Sequence, residues 1–172
     1  MMANSAWLKY KPIPLLWERH YPLLFGFGIS VLTLCFAPEL GAFFTQKKWV
    51  FANIYTSIFT LESTLTAFLL TFYGVIVTAP TGFLRRIQGT PSFKAYLNYV
   101  RVALVSGFWA AVISVPFMIV APELSQSGDG STIAISLWLG LSVFVLAAFF
   151  RILSAFFLLL DGEVPDAQRG EE

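Results

Sequence analysis

Residues 53–78 read NIYTSIFTLESTLTAFLLTFYGVIVT, and one stripe through them decides the fold. Asn53, Ser57, Thr60, Thr64, Ala67, Thr71, Gly74 and Thr78 recur at alternating steps of four and three, and each is small or short and polar. Such steps hold side chains on one face of an α-helix. The residues between are mainly Ile, Phe, Leu, Tyr and Val, so the segment reads as a membrane helix with one smooth, weakly polar seam. In lipid a seam of this kind admits a close backbone neighbour or lines a wet cavity. It places this helix at the centre of the expected fold.

Composition agrees. The chain is 57% hydrophobic and 12% charged, against about 25% charged residues in a soluble domain. A water-facing surface cannot be covered with so few charges. The net charge of +1 gives nucleic acid no reason to bind. Cys35 is the only cysteine and lies in an apolar run, so no intramolecular disulfide can form and a packed thiol is expected. His20 is the only histidine and reads as an interfacial side chain.

Four apolar blocks follow, at about 22–40, 54–79, 99–121 and 132–160. About 20 residues cross the hydrocarbon layer, so each is long enough to span. Pro22 suits a first helical turn, while Pro80 and Pro122 stop the second and third blocks. Residues 1–20 are too polar for a signal peptide, so the first block reads as a retained span. The expected fold is all-α: an integral membrane four-helix bundle as a single domain over 1–160, with a short acidic tail over 161–172. Lys9, Lys11, Arg19, Arg85, Arg86, Lys94 and Arg169 fall on one side, and only Lys47 and Lys48 on the other. Seven cations against two, with Arg101 and Arg151 left aside, predict both termini in the cytoplasm. The expected location is a bacterial inner membrane.

Two stretches repeat. Ala37-Pro38-Glu39-Leu40 matches Ala121-Pro122-Glu123-Leu124, and at the same offset Ile29-Ser30-Val31 matches Ile113-Ser114-Val115. Leu65-Thr66-Ala67-Phe68 likewise resembles Leu153-Ser154-Ala155-Phe156. A duplicated helical hairpin would produce this pattern, and so would chance in an alphabet of few letters. Phe43, Phe44, Trp49 and Phe51 surround Lys47 and Lys48, a mixture suited to the headgroup layer. Thr90-Pro91 reads as a helix start.

Glu62 and Arg151 are the intramembrane charge candidates, and such groups are functional hypotheses by default. The repeat alignment permits a Glu62–Arg151 pair. The uncharged runs 63–84 and 131–150 instead favour the two charges at opposite interfaces, with Arg151 snorkelling inward. Glu62 shares a helical face with Tyr55, Ile58, Thr66, Leu69 and Tyr73, roughly opposite Thr60 and Thr64. Small residues also recur as Gly26 and Ser30, as Ser106, Ala110 and Ser114, and as Ser136 and Gly140, the spacing of close helix crossings. Arg85, Arg86, Lys94 and Arg101 are suited to lipid headgroups or a docking partner. With one His, one Cys, no phosphate loop and no nucleophile motif, neither catalysis nor a cofactor or metal is expected.

The run from Leu61-Glu62-Ser63-Thr64-Leu65-Thr66 through Tyr73-Gly74, with Phe83-Leu84-Arg85-Arg86 and Tyr96-Leu97-Asn98-Tyr99, resembles small bacterial multi-pass membrane proteins. Some of these are encoded beside anti-phage systems and act as membrane effectors. The resemblance covers about 61–103 and implies a protein that oligomerises and perturbs the bilayer, or that docks a cytosolic partner. Three functions follow as expectations: an oligomeric effector or pore component, a docking or scaffold subunit, and a small transporter using Glu62.

Overall fold

The computed structural model of the chain describes residues 13–78, 91–122, 124 and 130–161. Among these residues the chain forms five helices and no strand: α1 (Ile13–Cys35), α2 (Ala37–Gln46), α3 (Phe51–Thr78), α4 (Pro91–Val120) and α5 (Gly130–Asp161). Three helices, α3, α4 and α5, are long and apolar enough to cross a membrane; a fourth crossing arises only if α1 and α2 count as one broken span.

That break corrects the expected first span over 22–40. Pro38 lacks an N–H, and its ring would strike the carbonyl one turn back if α1 continued. The chain therefore leaves α1 at Cys35 and restarts as α2 at 78° to it, with Pro38 in the first turn, where the missing donor costs nothing. Pro22, expected in a first turn, lies inside α1, which already begins at Ile13, and its ring is buried. The third apolar block closes differently. Ala121 turns left-handed (φ 44°) after α4 while its N–H donates to Phe117 O at 2.8 Å, and Pro122 bars any further turn.

Packing centres on α5, not on α3 as the seam suggested. α1 runs along α5, and α4 packs against both α3 and α5; α3 meets α5 only lightly. Glycines set the closest crossing. A Cβ on Gly26 would meet Gly140 O at 2.7 Å, and one on Gly140 would meet Ser30 Oγ and Gly26 O. In lipid no hydrophobic force drives helices together, so such backbone proximity and its dispersion contacts are what hold α1 on α5.

The two most extensive interfaces, α1 with α5 and α3 with α4, are the pair that a two-fold axis relating two hairpins would exchange. The symmetry is incomplete, because α1 has no extensive contact with α3 to match that of α4 with α5. The repeated Ala-Pro-Glu-Leu segments begin a helix in one copy and follow a helix end in the other. They nevertheless meet: Ala37 and Leu124 share a buried cluster with Ile135, and Gly41 lies against the Leu124 carbonyl. A larger apolar core at the other end gathers Leu69, Ile76, Phe93, Tyr96, Val100, Ala148 and Ile152.

Candidate functional site

The two faces of α3 have opposite fates. Tyr55, Glu62, Leu69 and Ile76, seven residues apart, form its buried stripe. On α4 the facing stripe runs through Val100, Ala103, Gly107, Ala110 and Ser114, again at steps of three and four. Such paired periodicity is the seam of two helices packed side by side.

Glu62 is the charged member of that stripe and is only 2% exposed. Trp138 of α5 donates its indole N–H to Ser114 Oγ at 2.7 Å, and Ser114 Oγ lies 2.8 Å from Glu62 Oε2, to which it donates. The same hydroxyl lies 2.9 Å from Ala110 O, one turn back on α4, so its single proton has two acceptors in reach. Ser142 of α5 also approaches the carboxyl group, but its hydroxyl donates to Trp138 O at 3.0 Å. Glu62 Oε1 consequently has no hydrogen-bond partner, and neither has Thr66 Oγ1, one turn further along the same face.

Aromatic rings close the site on the side of the α2–α3 turn. Trp138 stacks on Phe117 with centroids 5.3 Å apart and meets Tyr55 edge-on at 5.1 Å. Tyr55 donates its hydroxyl to Pro122 O, tying α3 to the end of α4. Beyond it Phe44 stacks on Trp49 at 5.6 Å and contacts Phe51 at 5.5 Å, while Lys47 Nζ lies 5.9 Å from the Phe43 ring. The aromatic–basic segment is thus one packed corner.

Arg151 lies elsewhere. It is nine residues beyond Ser142 on α5, about 13 Å along the axis, with its guanidinium 4.1 Å from the centre of the Tyr99 ring. Nearby, Tyr21 donates to Ala147 O at 3.2 Å. Glu62 and Arg151 form no ion pair. Glu62 itself is enclosed between α3, α4 and α5.

The seam faces outward. Asn53, Ser57, Thr60, Thr64, Ala67, Thr71 and Thr78 are all exposed on the protomer, Gly74 is partly so, and nothing lies within 4 Å of a Cβ built on Gly74. Ser57, Thr60, Thr71 and Thr78 donate to the carbonyls of Asn53, Thr56, Ala67 and Gly74, four residues earlier, at 2.7–3.0 Å. The carboxyl face of this helix is therefore enclosed in the protomer, and the hydroxyl face is not. At the seam's near end a shallow groove of about 400 Å³ opens between Lys48, Trp49, Asn53 and Ser57. Lys94 and Arg101 are exposed on α4, and Arg85 and Arg86 lie outside the described residues. Cys35, expected as a packed thiol, is exposed at the end of α1.

Sequence reasoning named Glu62, Ser114 and the seam but missed Trp138 and Ser142. Their signal was available: Trp138 and Ser142 are four residues apart, one turn on the same face of an otherwise bulky helix.

The outer surface is built from Phe27, Leu137, Ile119 and similar side chains at 63–79% exposure. Apolar area of that extent belongs in lipid. Fold and surface together define an all-helical membrane protein. No protein-family model, no curated protein and no solved structure matches the chain.

Proposed function

We propose that the chain is a subunit of an oligomeric membrane effector or pore, assembled through the outward seam of α3, in a bacterial inner membrane with both termini cytoplasmic. The observation that carries this reading is the contrast between the two faces of one helix. The face bearing Tyr55, Glu62, Leu69 and Ile76 is buried within the protomer, whereas the small-residue face is left open along its whole length. A helix exposed only to lipid has no need of eight consecutive small or hydroxyl positions, but a close helix–helix contact does. The resemblance over 61–103 points the same way, and the unequal distribution of cations supports the orientation.

The test is direct because Thr64 is exposed on the protomer and a Cβ on Gly74 meets nothing within 4 Å. Thr64→Leu combined with Gly74→Leu should leave the protomer folded, within about 0.5 kcal/mol as for surface positions. It should convert an oligomer in mild detergent to a monomer, by light scattering or crosslinking, whereas Leu65→Ile should not. A double variant that assembles like the wild type refutes the proposal. A second reading, a non-catalytic docking or scaffold subunit for a cytosolic protein, is favoured by the exposure of Lys94 and Arg101 on α4. In that case Lys94→Glu with Arg101→Glu would abolish function while leaving the oligomer intact. A transporter reading draws support only from Glu62.

A further inference from the structure

The geometry points to Glu62 as a proton-binding site inside the membrane-embedded part of the protein: its carboxyl group reversibly takes up a proton on Oε1. Three observations combine. The first is depth. α3 has 28 residues, about 42 Å of helix, and Glu62 lies eleven residues from its start, about 16 Å in. With a hydrocarbon layer of about 30 Å centred on α3, the carboxyl group is about 10 Å below the layer's edge.

The second is the absence of compensating charge. The groups that meet the carboxyl are Ser114 from α4, held in turn by the Trp138 indole, and Ser142 from α5, and none is cationic. The nearest titratable side chain on the same stripe, Tyr55, is two turns away with its hydroxyl on Pro122 O. Arg151 lies further along α5, with its guanidinium over the Tyr99 ring. A carboxylate so enclosed, with no positive partner among the described residues, is far costlier than a neutral carboxyl.

The third is the unequal state of the two oxygens. Oε2 accepts from Ser114 and so acts as the carbonyl-like atom, while Oε1 accepts from nothing. A proton on Oε1 removes the charge from the oxygen that nothing stabilises, and Ser142 Oγ, which approaches the carboxyl group with its own proton on Trp138 O, keeps a lone pair to accept from it. A metal cation fits the site poorly. Sodium sites in such proteins recruit carbonyls from unwound helices, but α3 is continuous through Glu62. The Ser136 and Ser142 hydroxyls are turned to carbonyls of their own helix. The site is therefore assigned to the proton.

Dicyclohexylcarbodiimide, an apolar reagent that enters bilayers, tests this. A protonated carboxyl adds its oxygen to the carbodiimide carbon and transfers its proton to nitrogen; acyl migration then leaves a stable N-acylurea. The full chain in phosphatidylcholine vesicles should acquire one adduct in the peptide containing Glu62. The adduct should be lost in E62Q, and labelling should slow about tenfold per pH unit above its midpoint. Replacing choline by sodium at fixed pH should not change it. Protection by sodium would overturn the assignment to a proton, and labelling independent of pH would overturn reversible uptake. If no adduct forms, infrared spectroscopy of wild type against E62Q decides. A neutral-carboxyl band that disappears with rising pH upholds the site, and carboxylate bands alone at every pH overturn it.

Discussion

Gly26 and Gly28 are two residues apart on the same helix, and alanine at the two positions should have opposite effects. A methyl group on Gly28 meets nothing within 4 Å, so Gly28→Ala should gain the ordinary helix preference of alanine, about 0.5–1 kcal/mol. A methyl group on Gly26 lands 2.7 Å from Gly140 O and 2.9 Å from Phe144 Cβ. Neither neighbour is the free end of a flexible side chain: one is backbone, the other a Cβ rooted on α5. Moving from 2.7 Å to the 3.4 Å of ordinary contact requires α1 to retreat by about 0.7 Å. A gap of that size forfeits roughly a quarter to a half of each dispersion contact across the crossing. Overpacking of this kind costs about 1–3 kcal/mol, and the gain in helix preference offsets less than 1 kcal/mol of it. Gly26→Ala should therefore lose about 1–2 kcal/mol net, a five- to thirtyfold shift in the unfolding equilibrium. Reversible unfolding in mixed micelles, followed by circular dichroism and by a disulfide between cysteines placed on α1 and α5, measures both quantities. Equal stability of the Gly26 and Gly28 variants would refute the close α1–α5 crossing.

Three further outcomes are expected. Glu62→Gln should fold nearly as well as the wild type, because the amide oxygen can still accept from Ser114, whereas Glu62→Lys should cost about 3 kcal/mol by placing an ammonium among groups that include no carboxylate; thermal unfolding in detergent distinguishes them. Tyr99→Leu should cost about 0.5–2 kcal/mol through the lost stacking on Arg151, and that loss should vanish in an Arg151→Met background, as a double-mutant cycle would show. A cysteine at Ser131 in a Cys35→Ser chain should react with an impermeant maleimide from the outside of intact cells, and labelling only after lysis would reverse the orientation.

Residues 53–78 were legible as a two-faced helix, but not which face is covered. In water, burial sorts apolar from polar. In lipid both the outside and the interior are apolar, so periodicity reveals that two faces differ without saying which one packs. The small-residue stripe looked central for that reason, whereas α5, bulky and carrying its small residues at Ser136, Gly140 and Ser142, is the hub. The enclosure of Glu62 was hidden by a different effect: counting uncharged residues along one helix says where a span could end, not which side chains of α4 and α5 cover a carboxyl group on it. The expected first span ran through Pro38, and the 78° turn there goes with α2 packing against Leu124 and Ile135, a contact across the chain that local sequence does not encode.

The backbone-directed hydroxyls of Ser57, Thr60, Thr71 and Thr78 bear on the life history of the protein. Since their protons are already engaged, these four hydroxyls present hydrocarbon no dangling donor, and a solitary copy needs no companion to satisfy them. If copies assemble through the seam as proposed, maturation and gathering would be separable in time, and lateral crowding would set when copies meet, so that abundance in the bilayer would work as a threshold.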